Sequence, residues 1–185
     1  MLPDAESRLT ARDDLATTVL ANNRAAGRKV AVAESCTGGM VSAALTDIAG
    51  SSDVFSAGFI TYSGHAKQNQ LGVSSEIIET FGEVSLATAW AMAAGALENS
   101  DADVAVAITG IAGPGGGSEK KPVGQVVFAR ALRGQNSDDY FTQRVKFEST
   151  DRAAIRHHAT LFALDLLQPD KDELRPSEDI ALPAP

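Results

Sequence analysis

Asp103-Val104-Ala105-Val106-Ala107-Ile108-Thr109 (residues 103–109) is a short, continuous apolar run between a charged residue and a glycine-rich stretch. Such a run reads as a central strand in a sheet covered on both faces. Working outward, Lys29-Val30-Ala31-Val32-Ala33 reads as a second buried strand, and Val54–Tyr62 as a third. Helical patterns are expected over residues 5–27, 40–48, 66–71, 75–81, 85–99 and 151–167. Residues 123–132 and 139–147 read as two antiparallel strands joined by the polar turn 133–137. Helices alternating with strands, followed by a hairpin, predict a single α/β domain: a three-layer α/β/α sandwich on a mixed sheet. Residues 1–168 are assigned to that domain. Residues 169–185, rich in proline and charge, are expected to be a disordered tail.

The bulk composition narrows the functional classes. Hydrophobic residues make up 44% of the 185-residue chain, enough for a core, but aromatics only 5%, so Val, Ile, Leu and Ala must build it. The net charge of −8 and pI near 4.8 argue against nucleic acid as a partner, because phosphate backbones need a basic face. A small anionic ligand stays open, since it needs only a local cluster of donors. The single cysteine, Cys36, cannot form an intrachain disulfide. No stretch has the roughly 20 apolar residues of a membrane span, and the charged N-terminus has no signal-like core. The expectation is a cytoplasmic protein without membrane contact. No His, Cys and carboxylate cluster has metal-ligand spacing, so neither metal nor cofactor is implied. The small-residue segment 85–99 suits a core helix and an interface equally well; a homo-oligomer, taken as a dimer, is expected.

Three stretches fall just after expected strands, where open α/β sheets bind ligands. The first is Ser35-Cys36-Thr37-Gly38-Gly39. Ser35 reads equally as a helix N-cap and as a nucleophile whose oxyanion the neighbouring N–H groups would hold. A serine nucleophile needs a base. His157 and His158 lie in a helix crowded with arginines, and no Ser-His-Asp spacing is evident. Lys67 is the better candidate, with Tyr62 as a relay, although a solvated helix lysine is the plainer reading. The loop Thr109–Gly117 offers backbone donors without being a P-loop. Arg152 and Arg156, one helical turn apart, suit a phosphate clamp and equally a surface pair with Asp151 or Glu148. Cys36 reads as a small buried apolar residue.

Taken together, Ala33–Gly39, Thr46–Ser52, Gly58–Lys67, Leu71–Val73, Thr109–Gly117 and Lys121–Val126 resemble, in order, the motifs of the CinA C-terminal domain family over about residues 10–168. That family includes nicotinamide-nucleotide amidohydrolases. The resemblance implies hydrolysis of the carboxamide of nicotinamide mononucleotide to the acid and ammonia, with Ser35 as nucleophile and Lys67 and Tyr62 assisting. It implies that Thr37, Gly38, Gly39, Thr109, Gly110 and Gly113 line the site and that Arg152 faces the phosphate. Two positions depart from the family pattern. Gly64-His65-Ala66 stands where Asn-Glu-Ala is usual, and Thr150-Asp151 where Gly-Asp is usual. A non-catalytic binding protein of this fold, or a hydrolase of another small amide, are the competing expectations.

Overall fold

The computed structural model describes residues 5–175 and 180–182. The strands are β1 (Val30–Glu34), β2 (Phe55–Ile60), β3 (Val104–Gly110), β4 (Gln125–Leu132), β5 (Phe141–Phe147) and β6 (Ile180–Leu182). They form one sheet in the order β2-β1-β3-β4-β5-β6. β1 runs parallel to β2 and β3, β4 lies antiparallel to both β3 and β5, and β6 pairs parallel with β5. The mixed sheet and the 123–147 hairpin are therefore as expected, and the 103–109 run lies inside the sheet between β1 and β4.

The pleat sorts the core by size. Val30, Val32, Val104, Val106, Ile108, Val126 and Phe128 share one buried cluster with residues of α1 (Ala5–Ala25), α2 (Met40–Thr46) and α6 (Arg152–Leu166). Ala31, Ala33, Ala105, Ala107, Ala129 and Ala131 point the other way. They meet α3 (Gly64–Leu71), α4 (Ser75–Phe81) and α5 (Leu86–Glu98). Successive strand residues face opposite sides, so alternating Val and Ala builds one bulky face and one shallow face. The shallow face admits α5, itself rich in alanine. At Gly95 of α5 a Cβ would lie 2.0 Å from the Leu71 carbonyl oxygen, so the end of α3 rests directly on this helix. Ala89, Met92, Ala93 and Ala96 of α5 are fully buried within the chain, which answers the core-or-interface alternative for those side chains in favour of the core.

Two differences from expectation have simple causes. α3 begins at Gly64 rather than Ala66 because Ser63 caps it, its side chain accepting from Ala66 N–H at 3.2 Å. Within the expected tail, Pro169–Lys171 forms a 3₁₀ turn and Asp172 binds Arg28 Nη1 at 2.7 Å and Arg130. Composition alone misses this, because the partner is a buried strand arginine. Arg130 also donates to Leu166 O at 2.7 Å, and a buried guanidinium needs such acceptors. Residues 176–179 and 183–185 of the expected tail lie outside the described residues. Among the described residues no helix is long and apolar enough to cross a membrane.

Candidate active site

The turn after β1 is held by a residue that sequence reading passed over. Glu34, fully buried, accepts hydrogen bonds from Gly39 N–H (2.9 Å), Val41 N–H (3.2 Å), Ser42 N–H (2.9 Å) and Ser42 Oγ–H (2.8 Å). A carboxylate at a helix start satisfies orphan donors and complements the helix dipole. The helix cap position is Gly39, whose φ of 95° needs glycine, and Glu34 supplies the acceptor that Gly39 lacks. Ser35 is thereby not the cap, and its hydroxyl is free for another partner. Its N–H donates to Ile108 O at 2.9 Å, pinning the turn to β3. An acidic residue ending an otherwise apolar strand one step before the turn was the available signal for Glu34.

That other partner is Lys67. Lys67 Nζ donates to Ser35 Oγ at 3.1 Å and to Thr61 O at 2.9 Å, and the side chain is completely buried. The plainer expectation of a solvated lysine is thus overturned: α3 turns Lys67 inward together with Leu71, one helical turn on. Burial pushes the Lys67 pKa below its ordinary value, because a desolvated ammonium is costly. Glu83, whose Oε2 lies 3.5 Å from Lys67 Nζ, pulls in the opposite direction. Cys36 is buried beside the pair, and desolvation pushes its thiol up to about 12, which makes it an inert filler.

The remaining candidates divide into a rim and a scaffold. At the rim Tyr62 is 59% exposed, and its hydroxyl oxygen accepts from Arg152 Nη2 at 2.9 Å. Arg152 Nη1 donates to Gly113 O at 2.7 Å, so one arginine bridges the loops after β2 and β3. Arg156 donates to Cys36 O (3.1 Å) and Thr37 O (2.8 Å). Instead of the surface pairing with Asp151 or Glu148, both arginines brace loops. In the scaffold, Thr109 is buried and donates to Glu83 O at 2.8 Å. A Cβ on Gly110 would sit 2.9 Å from Gln125 O, so glycine there permits close strand pairing. Thr37 is fully buried. Of the N–H groups around Gly38 and Gly39, Gly38 N–H donates to Ser35 O at 3.1 Å and Gly39 N–H to Glu34. His65 faces Asn69 in the solvent-exposed part of α3, and His158 packs against Phe147.

A serine hydroxyl in contact with a buried lysine amine, at the ends of parallel strands, defines the class: a three-layer α/β protein with a serine–lysine pair at its strand ends. The chain belongs to the CinA C-terminal domain family, whose model matches residues 12–170. It is 51% identical over 145 residues to the nicotinamide-nucleotide amidohydrolase PncC of Escherichia coli (strain K12), covering 78% of this chain and 85% of that protein. It is 50% identical over 143 residues to a CinA-like protein of Mycolicibacterium gilvum, covering 77% of this chain but 33% of that one. The chain thus spans about a third of the length of such CinA-like relatives. Among solved structures, the competence/damage inducible protein CihA from Agrobacterium tumefaciens superposes with a TM-score of 0.81 at 43% identity, over 90% of this chain and 96% of that one.

Proposed function

We propose that this chain is an amidohydrolase that converts the carboxamide of nicotinamide mononucleotide to the carboxylate and ammonia, with Ser35 as nucleophile and Lys67 as base. The observation that carries the reading is the buried contact of 3.1 Å between Lys67 Nζ and Ser35 Oγ. The kinship with an enzyme named for nicotinamide-nucleotide hydrolysis supports the substrate class. Lys67 in its neutral form takes the Ser35 proton, and Oγ attacks the carboxamide carbon. With the Gly38 and Gly39 N–H groups engaged, the oxyanion would be held by the remaining N–H groups of the turn, that of Thr37 among them. The Lys67 ammonium passes the Ser35 proton to the departing amine by way of the Tyr62 hydroxyl, which gives up its own O–H proton and takes the lysine's in exchange, so that ammonia leaves and Lys67 is neutral again. Water then attacks the acyl-enzyme, and the proton returns through Lys67. Arg152, exposed at the rim, is the cation placed for the substrate phosphate.

The test is ammonia release from nicotinamide mononucleotide, nicotinamide, nicotinamide riboside and glutamine by wild type and Ser35→Ala. The phosphorylated substrate is expected to be preferred. Ser35→Ala is expected to lose about 10³-fold or more in kcat with an unchanged circular dichroism spectrum. Undiminished release by the variant removes Ser35 as nucleophile. Binding without ammonia release by wild type turns the reading to a non-catalytic binding protein, and a preference for another amide redirects the substrate.

A further inference from the structure

Glu83 lies in the loop between α4 and α5, outside every motif singled out from the sequence. Its carboxylate is half exposed, yet Oε2 approaches to 3.5 Å of the fully buried Lys67 Nζ. Space for it comes from Gly64, two residues past Tyr62. A Cβ there would lie 3.1 Å from Glu83 Oε1 and 3.4 Å from Cδ, tighter than ordinary packing. Gly64 is also one of the positions where the sequence departs from the family's usual Asn-Glu-Ala. The loop is held from below by Thr109, whose hydroxyl donates to Glu83 O, and from the side by Lys121, which donates to Phe81 O at 2.7 Å. The carboxylate is therefore carried to the lysine by a supported loop and admitted by a missing side chain.

We infer that Glu83 is a positioning residue that sets the protonation of Lys67, and that Gly64 is the residue that admits it. This rests on the reading of Lys67 as the base of Ser35. The other groups facing Lys67 are Ser35 and Cys36 from the turn after β1, and the Thr61 carbonyl from the segment after β2. Cys36 stays a neutral thiol at ordinary pH. Arg156 is committed to the Cys36 and Thr37 carbonyls and Arg152 to Tyr62 and Gly113. Among the described residues Glu83 is the one carboxylate within ion-pair distance of Lys67. An opposite charge at this range favours the ammonium, so Glu83 opposes the effect of burial. The amine stays protonated to higher pH than its burial alone would allow, and the acid limb of activity is set where the two effects balance.

The test joins kinetics to a readout that needs no turnover. The pH dependence of kcat/KM for ammonia release is measured beside a ¹³C NMR titration of the Lys67 ε-carbon in ligand-free protein, the signal being assigned with Lys67→Met. In Glu83→Gln both the acid limb and the Lys67 titration are expected to move to lower pH. At a fixed pH on that limb the variant then retains a several-fold larger share of its maximal kcat/KM than wild type. Glu83→Asp, which keeps the charge, is expected to lie nearer wild type. Gly64→Ala, which crowds the carboxylate, is expected to shift in the direction of Glu83→Gln. An Lys67 titration identical in wild type and Glu83→Gln overturns the inference whatever the activity. A shifted titration in a protein that releases no ammonia keeps the inference and removes the amidohydrolase reading.

Discussion

Glu34→Gln replaces one oxygen by an NH₂ group inside a contact made of four donors and no other acceptor. Gly39 N–H and Val41 N–H meet Oε2, while Ser42 N–H and Oγ–H meet Oε1. The better amide orientation turns its oxygen to Gly39 and Val41 and its NH₂ to Ser42. The Ser42 hydroxyl can rotate to accept, but the Ser42 N–H then faces a donor and loses its partner. Hydrogen bonds to a charged group contribute about 1.5–3 kcal/mol, against about 0.5–1.5 for neutral ones. Losing one and weakening two costs roughly 3–5 kcal/mol, and relief of the buried charge returns part of that. A net loss of about 3 kcal/mol is expected, a large share of a typical domain's stability. Urea unfolding reads it directly: with a slope of about 2 kcal/mol/M, the midpoint falls by about 1.5 M at unchanged slope. Ammonia release is expected to fall too, since the same carboxylate holds the turn that carries Ser35. A midpoint drop below about 0.5 M refutes the argument that this carboxylate secures the start of α2.

Two further expectations test the packing and the thiol. Gly95→Ala drives a methyl toward the Leu71 carbonyl, where only backbone movement gives room; a loss of about 1–3 kcal/mol follows, seen as a fall in Tm of roughly 2–12 °C, and a wild-type Tm refutes it. Cys36, buried and with its thiol pushed up to about 12, is expected to ignore Ellman's reagent at pH 8 in the folded protein and to react in urea. Rapid labelling of the native protein shows the turn to be more open than described.

The strands were legible because their signal is local. Val104 to Ile108 and Val30 to Ala33 announce buried strands without help from the rest of the chain. Ser35 was legible as a candidate, but its alternative role as a cap was settled only by Glu34, whose carboxylate reaches across to α2. Lys67 illustrates the limit. A lysine on a short helix is ordinarily solvated, so its residue type alone places it outside, and only the packing of α3 on α5 turns it inward. Glu83 was not legible at all, and Arg156 was legible as a candidate but not in its loop contacts, because their partners lie sixteen or more residues away along the chain and are joined by the fold alone. The ordered stretch around Asp172 is a similar case: its composition is that of a tail, and its reason for being structured is an arginine in β4.

α6 touches three loops through two side chains on one face. Arg152 reaches the segment after β2 and the loop after β3, and Arg156 the turn after β1. The three loops are thus surveyed from a single benchmark rather than from one another. Any slide or rotation of that helix moves Tyr62, Gly113 and Thr37 together, preserving their mutual spacing while changing their distance from Lys67, which hangs from a different layer. Alteration of Ile155 or Leu164, buried where α6 packs on the core, would therefore act as a focusing adjustment: the group that approaches the substrate keeps its shape, and its stand-off from the amine changes.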